Sequence, residues 1–241
     1  MKDSIKLSKR LMKTASYLPK GAVFADIGSD HAYLPCYICL RDNTAKAIAG
    51  EINEGPYYSA VETVTQCELT DEIEVRLGDG LQILNEGEVQ QVIIAGMGGS
   101  LIKTILEEGI EKLTRVERII AQPNIDARNV RKWFNQQDFI ITNEAILEEN
   151  GHIYEIIAAD KNAPDDPYKK DEIDKQLLFG PLLLKDKSEV FYKKWKHEYI
   201  KLQRVINQMK CAKIRDEVKI IQFERELSWI EEVINDEGNP D

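Results

Sequence analysis

Short apolar runs alternate with amphipathic stretches along the first half of this sequence. The apolar runs predict strands at 22–27, 45–50, 73–77, 92–95 and 118–121; the stretches between them predict helices at 34–40, 53–66 and 101–108, and another after Gln122-Pro123-Asn124 through Trp133. Strands alternating with helices in this way are typical of parallel βαβ units. The pattern therefore predicts an α/β fold with a doubly wound, mostly parallel sheet.

The pattern changes after residue 139. Two strand-like runs, 140–147 and 152–159, are joined by Glu148-Glu149-Asn150-Gly151, and Asn-Gly between apolar runs is a strong hairpin signal. Five parallel strands followed by an antiparallel hairpin predict a seven-stranded, Rossmann-like sheet of the class I methyltransferase type. A nicotinamide-binding domain would more often continue its crossovers.

Both ends of the chain are predicted to be helical. Apolar spacing from Ile5 to Ala15 predicts a helix from Ser4 to Leu18, within a basic segment of residues 1–20. Residues 160–171 hold prolines and many charges and predict a linker. We therefore expect a first domain at 1–160 and a C-terminal helical coiled-coil domain at 161–241.

The C-terminal coiled coil is predicted from apolar positions that recur every three or four residues. They are Tyr192, Trp195, Tyr199, Leu202, Ile206 and Met209, and then Ile220, Phe223, Leu227, Ile230 and Ile234. The two stripes allow a helical hairpin or one long helix that dimerises. We favour the hairpin, and with it a monomer, because two short seams in one chain cover each other.

Charge is unevenly distributed along the chain. The formal net charge is −10, yet residues 1–20 carry six Lys/Arg against one Asp, and residues 185–219 carry eleven Lys/Arg against five Asp/Glu. Basic segments beside an acidic middle fit a surface for an anionic polymer next to an acidic cofactor site. Solvated lysine-rich helices are the alternative.

Cysteine spacing and hydropathy bear on compartment and metals. The four cysteines are irregularly spaced and do not form a disulfide framework. Cys36 and Cys39 have metal or redox spacing, but they share one face of a predicted helix, which favours packing. No run approaches the ~20 apolar residues of a membrane span. We expect a cytoplasmic protein with no metal and no membrane partner.

The loop after the first strand indicates the cofactor. It reads Asp26-Ile27-Gly28-Ser29-Asp30-His31, and Asp30 stands where a dinucleotide fingerprint needs a glycine that lets the backbone approach a pyrophosphate. A carboxylate there would repel that anion. S-adenosylmethionine has an ammonium and a sulfonium and no phosphate, so an acidic loop favours it.

Each strand end contributes further candidates for this cofactor, because ligands bind across the carboxyl edge of an open parallel sheet. Asp26 can hold the ammonium, Glu51 the ribose hydroxyls and Asp79 the adenine amino group. The full set of expected cofactor contacts is Asp26, Gly28, Ser29, His31, Glu51, Ile52, Asp79, Gly80, Gly96 and Met97.

The substrate side of the predicted sheet is glycine-rich. Many amino-group methyltransferases place Asp/Asn-Pro-Pro-aromatic after the fourth strand, whereas this chain has Ala95-Gly96-Met97-Gly98-Gly99. Such a loop lets the backbone approach a flat base, although it also fits a tight turn into a helix. Gln122 and Asn124 offer amides that could pair with a base, and Asn124 could instead cap a helix.

These motifs together resemble the bacterial TrmK family over essentially the whole chain. The resemblance rests on residues 26–35, the Ala-Gly-Met-Gly-Gly loop, the Gln-Pro-Asn turn and the Asn-Gly-His hairpin. It implies a tRNA methyltransferase that acts on N1 of adenine at position 22, with S-adenosylmethionine as donor. A small-molecule methyltransferase, an RNA-binding scaffold and, least favoured, an NAD-dependent oxidoreductase are the alternatives.

Adenine N1 needs no deprotonation before it attacks, and its methylated product is cationic. A nearby carboxylate would stabilise the developing charge, so we expect a catalytic role for Asp30, together with Gln122 and Asn124. Lys6, Lys9, Arg10 and Lys13 of the basic N-terminal segment are expected to hold tRNA phosphates.

Overall fold

The structure is a computed structural model that describes residues 5–236; residues 1–4 and 237–241 lie outside this range. The chain divides into two compact units, one ending at Pro167 and the other beginning at Tyr168. The division therefore falls inside the predicted linker, seven residues after the expected boundary at 160/161.

The first unit is built on a seven-stranded sheet. Its strands are β1 (Val23–Ile27), β2 (Lys46–Glu51), β3 (Ile73–Leu77), β4 (Gln91–Gly98), β5 (Arg118–Ile125), β6 (Phe139–Glu149) and β7 (His152–Lys161). The strand order is β3-β2-β1-β4-β5-β7-β6. Strands β1 to β5 are parallel, and β7 is antiparallel to both β5 and β6. The predicted fold class is confirmed.

One helix precedes β1, and four others lie in connections between the strands. They are α1 (Lys9–Ala15), α2 (Tyr33–Cys39), α3 (Glu54–Gln66), α4 (Gly99–Glu108) and α5 (Ala127–Gln136), and the second unit adds α6 (Ile173–Phe179), α7 (Leu183–Asp186), α8 (Glu189–Cys211) and α9 (Glu217–Asn235). The β3–β4 connection carries one short 3₁₀ helix, Gly80–Ile83.

The N-terminal helix is shorter than predicted. Ser4 lies outside the described residues, and α1 begins at Lys9 because the Ser8 hydroxyl accepts a hydrogen bond from the Leu11 N–H, 3.2 Å away. The prediction of a helix starting at Ser4 did not take this cap into account. Lys6 consequently precedes the helix and does not lie on it.

The core fills both faces of the sheet, and Cys36 and Cys39 are part of it. Burial raises the pKa of the Cys39 thiol to about 12 and also raises that of Cys36, so both thiols are protonated and pack as apolar groups. Within residues 5–236 no group of three or more His, Cys, Asp or Glu side chains is arranged to hold a metal ion. None of the described helices is long and apolar enough to cross a membrane.

The second unit contains the predicted helical hairpin. Helices α8 and α9 are separated by a break at residues 212–216 and pack against each other. Trp195, Ile206, Ile220 and Ile230 are buried along the seam, and Lys210 bridges to Glu224 at 2.5 Å. The alternative of a single long helix is therefore wrong.

A buried ionic cluster joins α5 to the β6–β7 hairpin. Arg131 has no exposed surface, and its guanidinium lies 2.7 Å from a carboxylate oxygen of Glu144 on β6 and 2.7 Å from one of Glu155 on β7. Ions buried in this way require their partners, because an uncompensated buried charge is costly.

We expect Arg131→Met to lower the free energy of unfolding by about 3–5 kcal/mol, because it leaves two carboxylates buried without their guanidinium. Urea unfolding followed by circular dichroism measures the loss. Lys103→Met is the control: it removes the exposed pair with Glu107 and should cost less than about 1 kcal/mol. Equal losses for the two variants would contradict a structural role for the cluster.

Candidate active site

The carboxyl ends of the parallel strands bring the predicted residues to one edge of the sheet. Ile27 is in register with Gly50 of β2 and Ile94 of β4, and Ala95 is in register with Gln122 of β5. The loops that follow β1, β2, β4 and β5 therefore meet at this edge, as the motif positions required.

A left-handed turn follows β1. Gly28 has φ 70°, and the non-glycine residues Asp30, His31 and Ala32 follow with φ 46°, 70° and 58°. The N–H groups of Gly28 and Ser29 both donate to the Gly50 carbonyl, at 2.9 and 3.1 Å, and fix the turn to β2. Consecutive left-handed residues are strained, and such strain is concentrated at functional sites.

This turn directs Asp30 away from the core. The Asp30 side chain is 85% exposed, and one of its carboxylate oxygens lies 3.4 Å from Nε2 of His31. The His31 ring in turn stacks on Tyr33, with 5.5 Å between ring centroids. Asp30 and His31 thus stand at the open rim of the site.

Two carboxylates are buried just below this rim. Asp26 is 3% exposed and accepts a hydrogen bond from the Ser29 hydroxyl at 2.7 Å. Glu51 is 6% exposed and accepts one from the Asp30 N–H. Within the described part of the chain neither carboxylate forms an ion pair.

The pKa values of these two groups reflect that environment. Burial raises the pKa of Asp26 to about 7, opposed by the Ser29 hydrogen bond and assisted by the charge of Glu51. Burial also raises the pKa of Glu51, against the hydrogen bond from Asp30. An arriving cation would favour the ionised form of both groups.

The β2 and β3 ends shape an apolar edge beside the acids. Ile52 is 59% exposed although it is apolar, and Asp79 is exposed next to Gly80, which has φ 51°. The Ile83 side chain fills the space above two glycines: a Cβ on Gly50 or Gly78 would lie 2.2 or 2.8 Å from it. Sequence reasoning missed Ile83, since only the fold brings it over both strand ends.

The glycine loop, residues 96–99 at the end of β4 and the start of α4, lies against the turn after β1 and against the end of β5. A Cβ on Gly28 would lie 2.3 Å from the Met97 methyl carbon, so Met97 rests directly on the turn. A Cβ on Gly99 would lie 2.0 Å from the Asp126 carbonyl oxygen. Glycine at these positions lets two loops approach each other more closely than any side chain allows.

Hydrogen bonds connect this loop to the β5 amides. The Gly96 N–H donates to the Gln122 side-chain oxygen at 3.1 Å, the Gln122 amide donates to the Asn124 oxygen at 3.3 Å, and the Asn124 amide donates to the Gly96 carbonyl at 2.7 Å. Gln122 is fully buried, whereas Asn124 is exposed. Asn124 can therefore reach a base, and Gln122 supports it from below.

The basic residues near the N-terminus fall into two groups. Lys6 and Lys9 are exposed, and the Lys13 ammonium lies 4.7 Å from the centre of the Tyr17 ring. The Arg10 guanidinium instead donates to the Gln122 side-chain oxygen. Sequence reasoning placed Arg10 with the phosphate contacts and missed this bond, which depends on how α1 crosses the sheet edge.

Comparison with known proteins yields close relatives over the whole chain. A family model described as tRNA (adenine(22)-N(1))-methyltransferase, TrmK, matches residues 24–232. A Bacillus subtilis (strain 168) tRNA (adenine(22)-N(1))-methyltransferase is 43% identical over 97% of this chain and 99% of the relative.

Solved structures agree with this match. The crystal structure of the B. subtilis M1A22 tRNA methyltransferase TrmK is 44% identical, with a TM-score of 0.90, and covers 96% of this chain and 100% of that one. A Streptococcus pneumoniae putative tRNA (m1A22) methyltransferase in complex with S-adenosyl-L-methionine is 40% identical, with a TM-score of 0.82, over 95% and 100% of the chains.

The contact between Gly99 and Asp126 leads to a test of the loop. Gly99→Ala should lower the free energy of unfolding by about 1–3 kcal/mol, because its Cβ would collide with a backbone carbonyl. Amide hydrogen exchange should quicken at residues 96–99. Gly98→Ala is the matched control, since its Cβ would lie 3.8 Å from the nearest atom, in Ile125. A destabilised Gly98→Ala beside an unchanged Gly99→Ala would contradict the packing described here.

Proposed function

The chain belongs to the TrmK family of tRNA (adenine(22)-N(1))-methyltransferases, and we propose the following roles for its residues in that reaction. The enzyme depends on S-adenosylmethionine and methylates N1 of adenine at position 22 of tRNA. The observation on this chain that best supports the chemistry is the pair of buried carboxylates, Asp26 and Glu51, without a cationic partner among the described residues.

The donor fits this acidic edge. Asp26 lies where an ammonium would compensate its buried charge, and the turn through Gly28 and Ser29 would lie beside the methionyl end of the cofactor. Glu51 accepts a backbone N–H here and retains oxygen lone pairs for two ribose hydroxyls. Ile52, Asp79 and Gly80 form the adenine end, and His31, Gly96 and Met97 close the site around the sulfur.

The target base would lie between the turn after β1, which carries Asp30, and the glycine loop from Gly96 to Gly99. When bound, S-adenosylmethionine supplies a methyl group on a sulfonium, and N1 of adenine displaces the thioether in line: the N–C bond forms as the C–S bond breaks, and the base becomes cationic. Asp30, exposed on its strained turn, is positioned to stabilise that charge. Asn124 holds the base edge, and Gln122 holds Asn124.

Positioning accounts for most of the expected acceleration. The lone pair of adenine N1 is available at neutral pH, so no residue has to remove a proton in the methyl-transfer step, and an in-line approach is the main requirement. The glycine loop from Gly96 to Gly99 suits that task, because it brings backbone groups against a flat base without intervening side chains.

RNA contacts are assigned to the basic residues. N1 lies on the pairing edge of adenine, so the base has to be exposed before methylation. Lys6, Lys9 and Lys13, together with exposed basic residues of α8 such as Lys201 and Arg204, would hold phosphates meanwhile. We place the enzyme in the cytoplasm. We also propose that it is a monomer, because the α8 and α9 seams cover each other within one chain.

The activity and the role of Asp30 are tested together. Wild-type protein should transfer one labelled methyl group to an unmodified tRNA transcript, recovered as 1-methyladenosine by nucleoside mass spectrometry, and none to a transcript with guanine at position 22. Asp30→Ala should slow single-turnover methylation about 10- to 100-fold, with little change in cofactor affinity by calorimetry.

Asp79→Asn is the matched control, because Asp79 is another exposed carboxylate at the same edge. It should weaken cofactor binding while the single-turnover rate at saturating cofactor stays near wild type. Methyl transfer to a different nucleoside would overturn the function, whereas a wild-type rate for Asp30→Ala would overturn only its catalytic role.

Cofactor affinity should depend on pH through Asp26. Its pKa of about 7 means that raising the pH from 6.0 to 7.5 converts a mostly protonated carboxyl into a mostly ionised one, so binding should tighten by about three- to tenfold. Calorimetry in buffers of different ionisation enthalpy should detect a proton released on binding. Asp26→Asn should bind weakly with a flat profile, and an unchanged slope in that variant would rule out Asp26 as the titrating group.

The same substitution should stabilise the free protein. Because the native pKa of Asp26 lies above its unfolded value, the native state binds more protons between about pH 4 and 7, and its stability falls as the pH rises through that window. Asp26→Asn removes this loss, so its unfolding midpoint at pH 8 should exceed that of wild type. A stability curve that is identical for the two proteins from pH 5 to 8 would contradict the raised pKa.

A further inference from the structure

The N-terminal helix contributes a side chain to the base site and not only to the RNA surface. The Arg10 guanidinium donates to the same Gln122 side-chain oxygen that accepts the Gly96 N–H. An amide oxygen has two lone pairs, and both are used here. Because arginine can only donate, the Gln122 atom that faces it has to be the oxygen.

The orientation of Gln122 fixes the groups that follow it. Its amide nitrogen is turned toward the Asn124 oxygen at 3.3 Å, and the Asn124 amide nitrogen is therefore turned toward the Gly96 carbonyl at 2.7 Å. Arg10, Gln122, Asn124 and Gly96 thus form one directional chain of donors and acceptors. In that chain, Asn124 is the exposed amide, the one assigned to the target base in the proposed function.

Arg10 is the end of this chain that contacts the β6–β7 hairpin. The backbone N–H groups of Lys9 and Arg10 donate to the Glu149 carboxylate at 2.7 and 3.3 Å, and the Arg10 guanidinium carbon lies 5.3 Å from the centre of the Tyr154 ring. Both anchors belong to the β6–β7 hairpin. Gly96, at the other end, has φ 80°.

The charge of the reaction product also bears on the role of Arg10. The methylated base is cationic, so a guanidinium in direct contact with it would oppose the reaction. In this structure the oxygen of the neutral Gln122 amide accepts a hydrogen bond from the guanidinium. The Gln122 amide nitrogen donates in turn to Asn124, which is exposed. Arg10 can therefore orient the amides through Gln122, and the neutral Gln122 side chain lies between its guanidinium and the Asn124 amide.

We propose that Arg10 is a positioning residue for methyl transfer: it orients the Gln122–Asn124 amide pair and the Gly96 loop for the target adenine. This inference rests on the proposed function, and it assigns to Arg10 a task other than the phosphate contact expected from its charge. A phosphate contact needs only a cation, whereas this task needs a planar donor held in a fixed direction.

The test compares Arg10→Lys and Arg10→Ala with Lys9→Ala under steady-state conditions with saturating S-adenosylmethionine. Both Arg10 variants should lower kcat by about 10- to 100-fold, with a smaller change in the KM for tRNA. Lys9→Ala removes an exposed neighbouring charge and should raise the KM for tRNA with little effect on kcat. Arg10→Lys retains the charge and most of the packing, so it remains informative if Arg10→Ala folds poorly.

Two further measurements separate positioning from a purely structural role. Tens of millimolar guanidinium chloride should partly restore the kcat of Arg10→Ala, and sodium chloride at equal ionic strength should not. Combining Arg10→Ala with Gln122→Ala should cost little more than Gln122→Ala alone, because both residues act through one chain of hydrogen bonds.

Failure of the Arg10 proposal can be distinguished from failure of the proposed methyltransferase function. Wild-type protein that fails to methylate the transcript would refute the function, whichever way the variants behave. With active wild type, an Arg10→Lys variant that keeps its kcat, or an Arg10→Ala variant that changes only KM, would overturn the proposal. Additive losses in the double variant would overturn it as well.

Discussion

Two buried carboxylates that form no ion pair within residues 5–236 are the constraint on which this site depends. Asp26 and Glu51 are almost inaccessible to solvent, and the hydrogen bonds they accept come from a hydroxyl and a backbone N–H. Burying a carboxyl in this way disfavours its charge, and the raised pKa of Asp26 expresses that cost. In the free protein, ionising these carboxyls is therefore costly, and a positively charged ligand that enters the site lowers that cost.

The backbone around these acids is arranged to keep them in place. The left-handed turn from Asp30 to Ala32 is strained, and its two preceding N–H groups are tied to β2. Met97 rests on Gly28, and Gly99 packs under the Asp126 carbonyl. Strain and close approach at one edge require stable surroundings, which the buried strands supply.

The antiparallel hairpin extends this support to the substrate side. Arg131 of α5 forms ion pairs with Glu144 and Glu155 of the hairpin. Near the hairpin turn, the Glu149 carboxylate accepts hydrogen bonds from the first two N–H groups of α1. Helix α1 then delivers Arg10 to Gln122. The hairpin that distinguishes this sheet from a nicotinamide-binding one thus also helps to place the Arg10 side chain beside Gln122 and Gly96.

Local sequence patterns were enough to predict the fold class and which residues lie at the carboxyl edge of the sheet. Period-2 and period-3.6 apolar patterns are local properties, and parallel strands place their carboxyl ends together whatever the details, so Asp26, Glu51 and Gly96 could be assigned to one edge in advance. The Asn-Gly turn predicted the hairpin for the same local reason. The predicted start of α1 at Ser4 was wrong, because it was taken from the apolar spacing and did not consider Ser8 as the N-cap.

Contacts between side chains from distant segments could be read from the three-dimensional structure alone. The bond between Arg10 and Gln122 joins residues 112 positions apart, and no periodicity reports such a pair. The burial of Gln122 and the position of Ile83 over two glycines likewise depend on how separate elements pack. Hydrogen bonds and close contacts act over a few ångströms in space, whereas sequence patterns record only neighbours along the chain.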